Sequence, residues 1–155
     1  MKNQWKKLIA CIAIPLLVGG AAALFTKDSM QGFEELNQPD LSPPGWLFPI
    51  VWTLLYILMG LASYLVITLE ETYRTQIAMT IYGIQLIFNF FWPIIFFNLE
   101  MYLTAFIWLV ILWILVAILT FVCYRISKPA GYLLIPYLLW VTFAGYLNYS
   151  IYLLN

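Results

Sequence analysis

Three tryptophans, Trp52, Trp92 and Trp140, stand well inside uncharged runs of this sequence. Asn89 lies one turn before Trp92, and Asn148 lies two turns after Trp140. An indole at a membrane surface is expected, because its N–H finds water while its ring finds hydrocarbon. Deeper indoles have lost that wet partner. The chemistry open to such a set is neutral. Flat polarisable rings can face a planar apolar ligand, and an amide can orient one polar edge. Ring pairs add about 0.5–1.5 kcal/mol beyond area burial. A plain aromatic core is the competing reading. Seven Trp, eleven Tyr and eleven Phe in 155 residues exceed what two interfacial belts need.

Other chemistries lack their residues. The chain has no histidine, so the usual general base and the commonest metal ligand are missing. No charged residue lies inside an apolar run, which speaks against ion-coupled transport. There is no nucleophile–base pair and no phosphate loop. Cys11 and Cys123 both sit in apolar stretches, where a thiol is inert. Net charge is zero, so nothing favours nucleic acid. No cofactor is expected.

Spacing sorts the polar residues onto faces. Gln85, Asn89 and Trp92 lie at i, i+4 and i+7, and Pro93 then frees a backbone carbonyl. An amide turned to lipid leaves hydrogen bonds unmade, so this face points inward. It is either interhelical glue, worth about 0.6 kcal/mol per contact, or a hydrogen-bonding spot in a cavity. Both stay open for Gln85; the second is the reading for Asn89. Pro136, Trp140, Ala144 and Asn148 recur every four residues as kink, indole, small residue and amide. The small residue leaves room for something flat, or lets another helix approach. Trp108 and Trp113, five apart, cannot share a face, so one faces the bundle and the other lipid. Cys11, Pro15, Gly19 and Ala23 form a small-residue stripe suited to packing within the bundle or between two copies.

Helices across a bilayer must position these groups. The chain is 65% hydrophobic and 9% charged, against roughly 25% charged in soluble domains. One water-soluble core of this size cannot hide that surface. The sequence therefore predicts an all-α integral membrane protein, a single membrane domain over residues 1–155 with five spans. These fall at about 8–25, 46–69, 77–99, 101–124 and 130–154. The runs are continuously apolar, without the period-two alternation of barrel strands. The first run has the look of a secretory signal but reads as a true span. Residues 26–45 form the one long polar loop, either a lid or a solvated linker. Ser42, followed by Pro43 and Pro44, is the expected N-cap of the second helix.

Orientation follows from basic residues. Lys2, Lys6, Lys7, Arg74, Arg125 and Lys128 share one side, and Lys27 stands alone on the other. The expectation is a cell-membrane protein with a cytoplasmic N-terminus, and with the long loop and C-terminus outside. No internal repeat is visible, which weakens a secondary-transporter reading.

Three stretches carry a resemblance. They are P-P-G-W-L-F-P-I-V-W-T-L-L-Y at 43–56 with M-G at 59–60, Q-L-I-F-N-F-F-W-P-I-I-F-F at 85–97, and P-Y-L-L-W-V-T-F-A-G-Y-L-N at 136–148. Together they resemble the tryptophan-rich sensory proteins, also called the translocator or peripheral benzodiazepine-receptor family. The resemblance implies a five-helix bundle, often dimeric, that binds tetrapyrroles of the protoporphyrin IX type. It also implies isoquinoline or benzodiazepine ligands and, in animal members, sterols. Bacterial relatives are associated with light-dependent porphyrin breakdown and stress signalling.

Carried over by motif, the ligand-binding residues are Trp52, Asn89, Trp108, Trp140, Ala144 and Leu147, under the long loop. The family's sterol motif needs Lys or Arg after a tyrosine of the fifth span, and no basic residue follows Lys128. Weak or no sterol binding is therefore expected. The resulting reading is a homodimeric membrane receptor in the lipid bilayer that binds protoporphyrin IX or a related tetrapyrrole. Trp52 and Trp140 act as electron donors in its photo-oxidative degradation, the catalytic role in a reaction without acid–base or metal groups. The alternatives are transport or sensing of porphyrins and similar amphiphiles without chemistry, and a ligand-free packing partner.

Overall fold

The computed structural model describes residues 3–69 and 72–155. Lys2, counted on the basic side, and Glu70 and Glu71, at the start of the turn expected at 70–76, lie outside them. The first helix, α1, spans Gln4–Thr26. A 3₁₀ turn at Lys27–Ser29 leads into a five-residue helix, α2, at Met30–Glu34. Then follow α3 at Leu47–Ile67, α4 at Tyr73–Pro93, α5 at Tyr102–Ile126 and α6 at Lys128–Leu154. Five of these segments are long and apolar enough to cross a membrane, and the described residues contain no strand. The protein is a multi-pass, all-α membrane protein. Its outer surface is apolar, with Leu17, Leu54, Ile107 and Leu139 all exposed. Lipid can cover such a surface; water cannot.

Helix boundaries depart from the sequence in ways local chemistry explains. The polar stretch after α1 is helical over Lys27–Glu34, so the loop is shorter than expected. Ser42 does not cap α3. Its hydroxyl donates to Gln38 Oε1 at 2.6 Å, and the helix begins at Leu47, whose N–H bonds Pro44 O at 3.0 Å. A residue before proline is steered away from the helical region, which delays the start past Pro43 and Pro44. In contrast, α4 begins earlier than expected. Thr72 and Thr75 exchange side-chain and backbone bonds at 2.9 and 3.3 Å, a reciprocal cap that turns Tyr73–Gln76 into helix. After Pro93 the chain continues as a π turn, Ile94–Asn98. Proline's missing N–H and its ring disturb the α-ladder there, and the wider turn absorbs the mismatch.

Helix α5 packs chiefly on α6 and α4, while α1 packs on α3, which in turn packs on α6. Met59, Leu112, Val116, Leu119 and Tyr137 are fully buried at the centre. Close approach of α1 and α3 depends on Gly60. A Cβ there would lie 2.6 Å from the Cys11 carbonyl oxygen. The Cys11–Gly19 stripe is thus used inside the bundle: Cys11 and Pro15 are buried, and Gly19 meets the Tyr56 ring.

Candidate functional site

A cavity of about 150 Å³ lies between α1, α3, α4 and α6, at the end covered by α2. Helix α3 brings Phe48, Trp52 and Tyr56, spaced by four residues, to one wall. Helix α4 adds Asn89 and Trp92, and the π turn adds Phe96 and Phe97. From α6 come Trp140, Ala144, Leu147 and Asn148. The α1 wall is thin, with Gly19, Ala22 and Ala23. Phe33 of α2 closes the end; it is buried against Phe48, Phe96 and Phe97, with ring centroids 5.4–6.1 Å apart. Among the described residues, no charged side chain lines the space.

Five of the six residues expected from the motifs therefore share one cavity: Trp52, Asn89, Trp140, Ala144 and Leu147. Trp108 stands apart. It stacks on Phe88 at 4.3 Å, and its indole N–H donates to Phe88 O at 2.8 Å on the α4–α5 seam. Helix α5 contributes nothing to the cavity wall, because it packs behind α4 and α6. Trp113 is 40% exposed and donates to Thr142 Oγ1 at 2.7 Å. Pro136 also leaves the expected α6 stripe and is exposed. Four residues advance a helix by about 400°, so each step drifts roughly 40° and the stripe cannot run straight.

The cavity floor is a hydrogen-bonded chain. Tyr56 Oη donates to Asn89 Oδ1 at 2.7 Å, Asn89 Nδ2 donates to Tyr137 Oη at 2.8 Å, and Tyr137 Oη donates to Gln85 Oε1 at 2.7 Å. Asn89 thus has both roles, touching the cavity and tying α3, α4 and α6 together. Gln85 lies deeper, off the cavity wall, and supports Tyr137. Asn148 fixes a second indole. It accepts from Trp92 Nε1 at 3.0 Å and donates to Tyr102 O at 2.9 Å. Trp52 stacks on Tyr56 at 5.6 Å and meets Tyr137 edge-on at 6.2 Å. The Trp140 indole nitrogen is buried without a hydrogen-bond partner in the described structure. It is the one such atom on a cavity-lining residue. A buried donor left unpaired carries a desolvation cost, and this nitrogen is covered by protein atoms and not open to the cavity.

Sequence reasoning missed the two tyrosines and the phenylalanine plug. Tyr56 had a signal, one turn from Trp52. Tyr137 had a weaker one, three residues before Trp140. Phe33 had none, since it belongs to the polar stretch. As for metals, no cluster of potential metal ligands occurs among the described residues.

The chain is similar along its length to several known proteins. It is 40% identical over 157 residues to the tryptophan-rich protein TspO of Chlorobaculum tepidum, covering 100% of this chain and 99% of the relative. It is 34% identical to the tryptophan-rich sensory protein of Cereibacter sphaeroides, covering 100% and 95%. The translocator protein of Bos taurus is 29% identical, covering 98% and 92%. The sequence profile of the TspO/MBR family matches residues 11–154. A five-span helical fold, motifs converging on one aromatic cavity and this full-length similarity agree: the chain belongs to the TspO/MBR family.

Proposed function

We propose that the protein is a membrane receptor that binds a tetrapyrrole of the protoporphyrin IX type in the cavity beneath α2 and promotes its light-dependent oxidative loss. The observation that carries this reading is the meeting of Trp52, Trp92 and Trp140 around one uncharged space. Stacking rings suit a planar apolar ligand. Isoquinoline or benzodiazepine ligands, also flat, suit the same walls.

The chemistry asks little of the protein beyond placement. Light excites the bound ring, and the Trp52 or Trp140 indole gives it one electron. An indole radical cation and a ring radical anion result. Dioxygen adds to a carbon of the ring radical anion, and the adduct returns its electron to the indole as the second oxygen closes onto the adjacent carbon. The O–O and C–C bonds then break to leave two carbonyls, so the opened ring has gained one dioxygen and the indole is restored. The apolar walls limit the water that reaches the intermediates. Transport is the second reading, and one observation weighs against it. The cavity stops at Tyr56 and Asn89, and below them the core is packed.

In this reading the covered end faces outside, the N-terminus is cytoplasmic and the site of action is the cell membrane. A homodimer belongs to it as well. Since α3 occupies the Cys11–Gly19 stripe, contact between copies falls elsewhere; Gly20 and Gly83 have open space beside them.

The test is protoporphyrin IX mixed with purified protein, read by absorbance and fluorescence in the dark and under illumination. Dark binding with loss only under light and dioxygen is the expected result. Replacing Trp52 and Trp140 together with Phe keeps binding and slows that loss. Unchanged loss in the double variant overturns the electron-donor role. Light-independent flux into vesicles favours transport.

A further inference from the structure

The segment over the cavity, residues 27–46, stands where the resemblance implies a covering loop; we propose that two asparagine side chains pin it, Asn98 as hinge pin and Asn155 as latch, and that release of the Asn155 latch sets the size of ligand admitted. This rests on the reading that the cavity takes a ligand.

The two pins grip opposite ends of the covering segment. Asn98, the last residue of the π turn, donates from Nδ2 to Phe25 O at 2.8 Å and accepts from Ser29 Oγ at 2.6 Å. Both partners lie where α1 runs into the covering segment, so this pin moves little. Beyond α2, Asn155 Oδ1 accepts from the Asn37 backbone N–H at 3.2 Å, and Asn155 Nδ2 donates to Asn37 O at 2.9 Å. One amide side chain thus holds both backbone polar groups of one lid residue. Asn155 also donates to Ile151 O at 2.9 Å, which fixes it to the end of α6. Phe33 sits between the pins with its ring in the cavity wall. Helix α2 has five residues and cannot hold its own shape, so the pins and Phe33 hold the lid. The bonds at both pins are exposed to solvent, so water competes for all of them; those at Asn98 hold residues next to or within α1, whereas Asn37 belongs to no helix, and it is the Asn37 end that opens.

Size makes opening necessary. A cavity of about 150 Å³ matches the engineered apolar cavity that takes up benzene. A macrocycle of four linked pyrrole rings does not fit beneath a seated Phe33. Beyond Asn37 the chain passes Pro39, Pro43 and Pro44 before α3. Proline fixes its own backbone angle, so this stretch swings as a stiff strut.

The test uses the full chain in lipid nanodiscs. Amide hydrogen exchange over residues 30–42 is measured for the wild type and for Asn155→Leu, alongside the association rate of protoporphyrin IX from fluorescence quenching. Loss of the latch is expected to raise both exchange and association about tenfold, the scale of one or two net hydrogen bonds. Asn98→Leu extends the faster exchange to residues 26–29. A second variant, Asn37→Cys with Asn155→Cys, reports on one sample. Oxidation slows association of the macrocycle and reduction restores it. Unchanged exchange in Asn155→Leu overturns the latch even where the macrocycle binds. Faster exchange with unchanged association overturns the latch as a gate. A wild type that never binds the macrocycle, but whose lid exchange responds, retains the latch and loses the tetrapyrrole reading.

Discussion

The Tyr56 hydroxyl donates to the Asn89 amide oxygen across 2.7 Å, and the same amide donates onward to Tyr137. One side chain of α4 thereby anchors α3 and α6 and forms the cavity floor. Replacing Asn89 with Leu is expected to destabilise the protein by about 1–2 kcal/mol. That exceeds the roughly 0.6 average for a membrane hydrogen bond, because two bonds go and the Tyr56 hydroxyl loses its acceptor. Thermal unfolding in detergent, compared with Tyr56→Phe, checks it. Tyr56→Phe, which removes one bond, costs less.

Ala144 is the small residue between the Trp140 and Asn148 side chains on the cavity wall. Ala144→Phe puts a ring into the empty space. Loss of protoporphyrin affinity of tenfold or more is expected, with thermal stability held or raised. Equilibrium fluorescence titration measures it, and unaltered affinity places the ligand elsewhere.

Trp108 matches the family motif yet lies outside the cavity, stacked on Phe88. Trp108→Phe therefore leaves ligand affinity within about twofold. It costs roughly 1 kcal/mol of stability through the lost bond to Phe88 O. A Trp108 variant with tenfold weaker binding would place the seam, and not the cavity, at the site.

Gly60 lets α3 meet the backbone of α1. Gly60→Ala sets a methyl 2.6 Å from the Cys11 carbonyl oxygen and from Ile12 Cα, where only backbone can yield. The expected cost is about 1–3 kcal/mol, seen as a lower unfolding midpoint. Ala at Gly20, which lies within α1 and faces open space, serves as the control and does not lower the midpoint.

Glu100 carries a φ of 53°, the one positive value at a non-glycine residue of the described chain. Left-handed backbone costs a β-carbon residue about 1–2 kcal/mol, and asparagine tolerates it better. Glu100→Asn is expected to raise stability by roughly 0.5 kcal/mol, read from the unfolding midpoint.

What could be read in advance followed local rules. Five apolar runs of bilayer length give five helices, whatever their partners. Trp52, Asn89 and Trp140 stood out because a polar edge deep in an apolar run needs an inward reason. The lid was only half legible. Its polar residues announce a water-facing segment, but Phe33 is anchored by Phe48, Phe96 and Phe97, contacts far along the chain. Trp108 misled for the complementary reason. A motif records which residues occur, while helix rotation decides which seam each one fills. Tyr137 looked like one tyrosine among eleven until Asn89 and Gln85 were seen to bracket it.

The cavity takes its walls from α1, α3, α4 and α6, so it is assembled from both ends of the polypeptide. During synthesis no pocket exists until the last span has been inserted, because Trp140, Ala144 and Leu147 arrive with it. A compound that occupies the finished pocket recognises only molecules that have reached the native arrangement. By mass action such a guest draws newly made chains toward completion, and at a hundredfold excess over its dissociation constant adds about 2.7 kcal/mol to their stability.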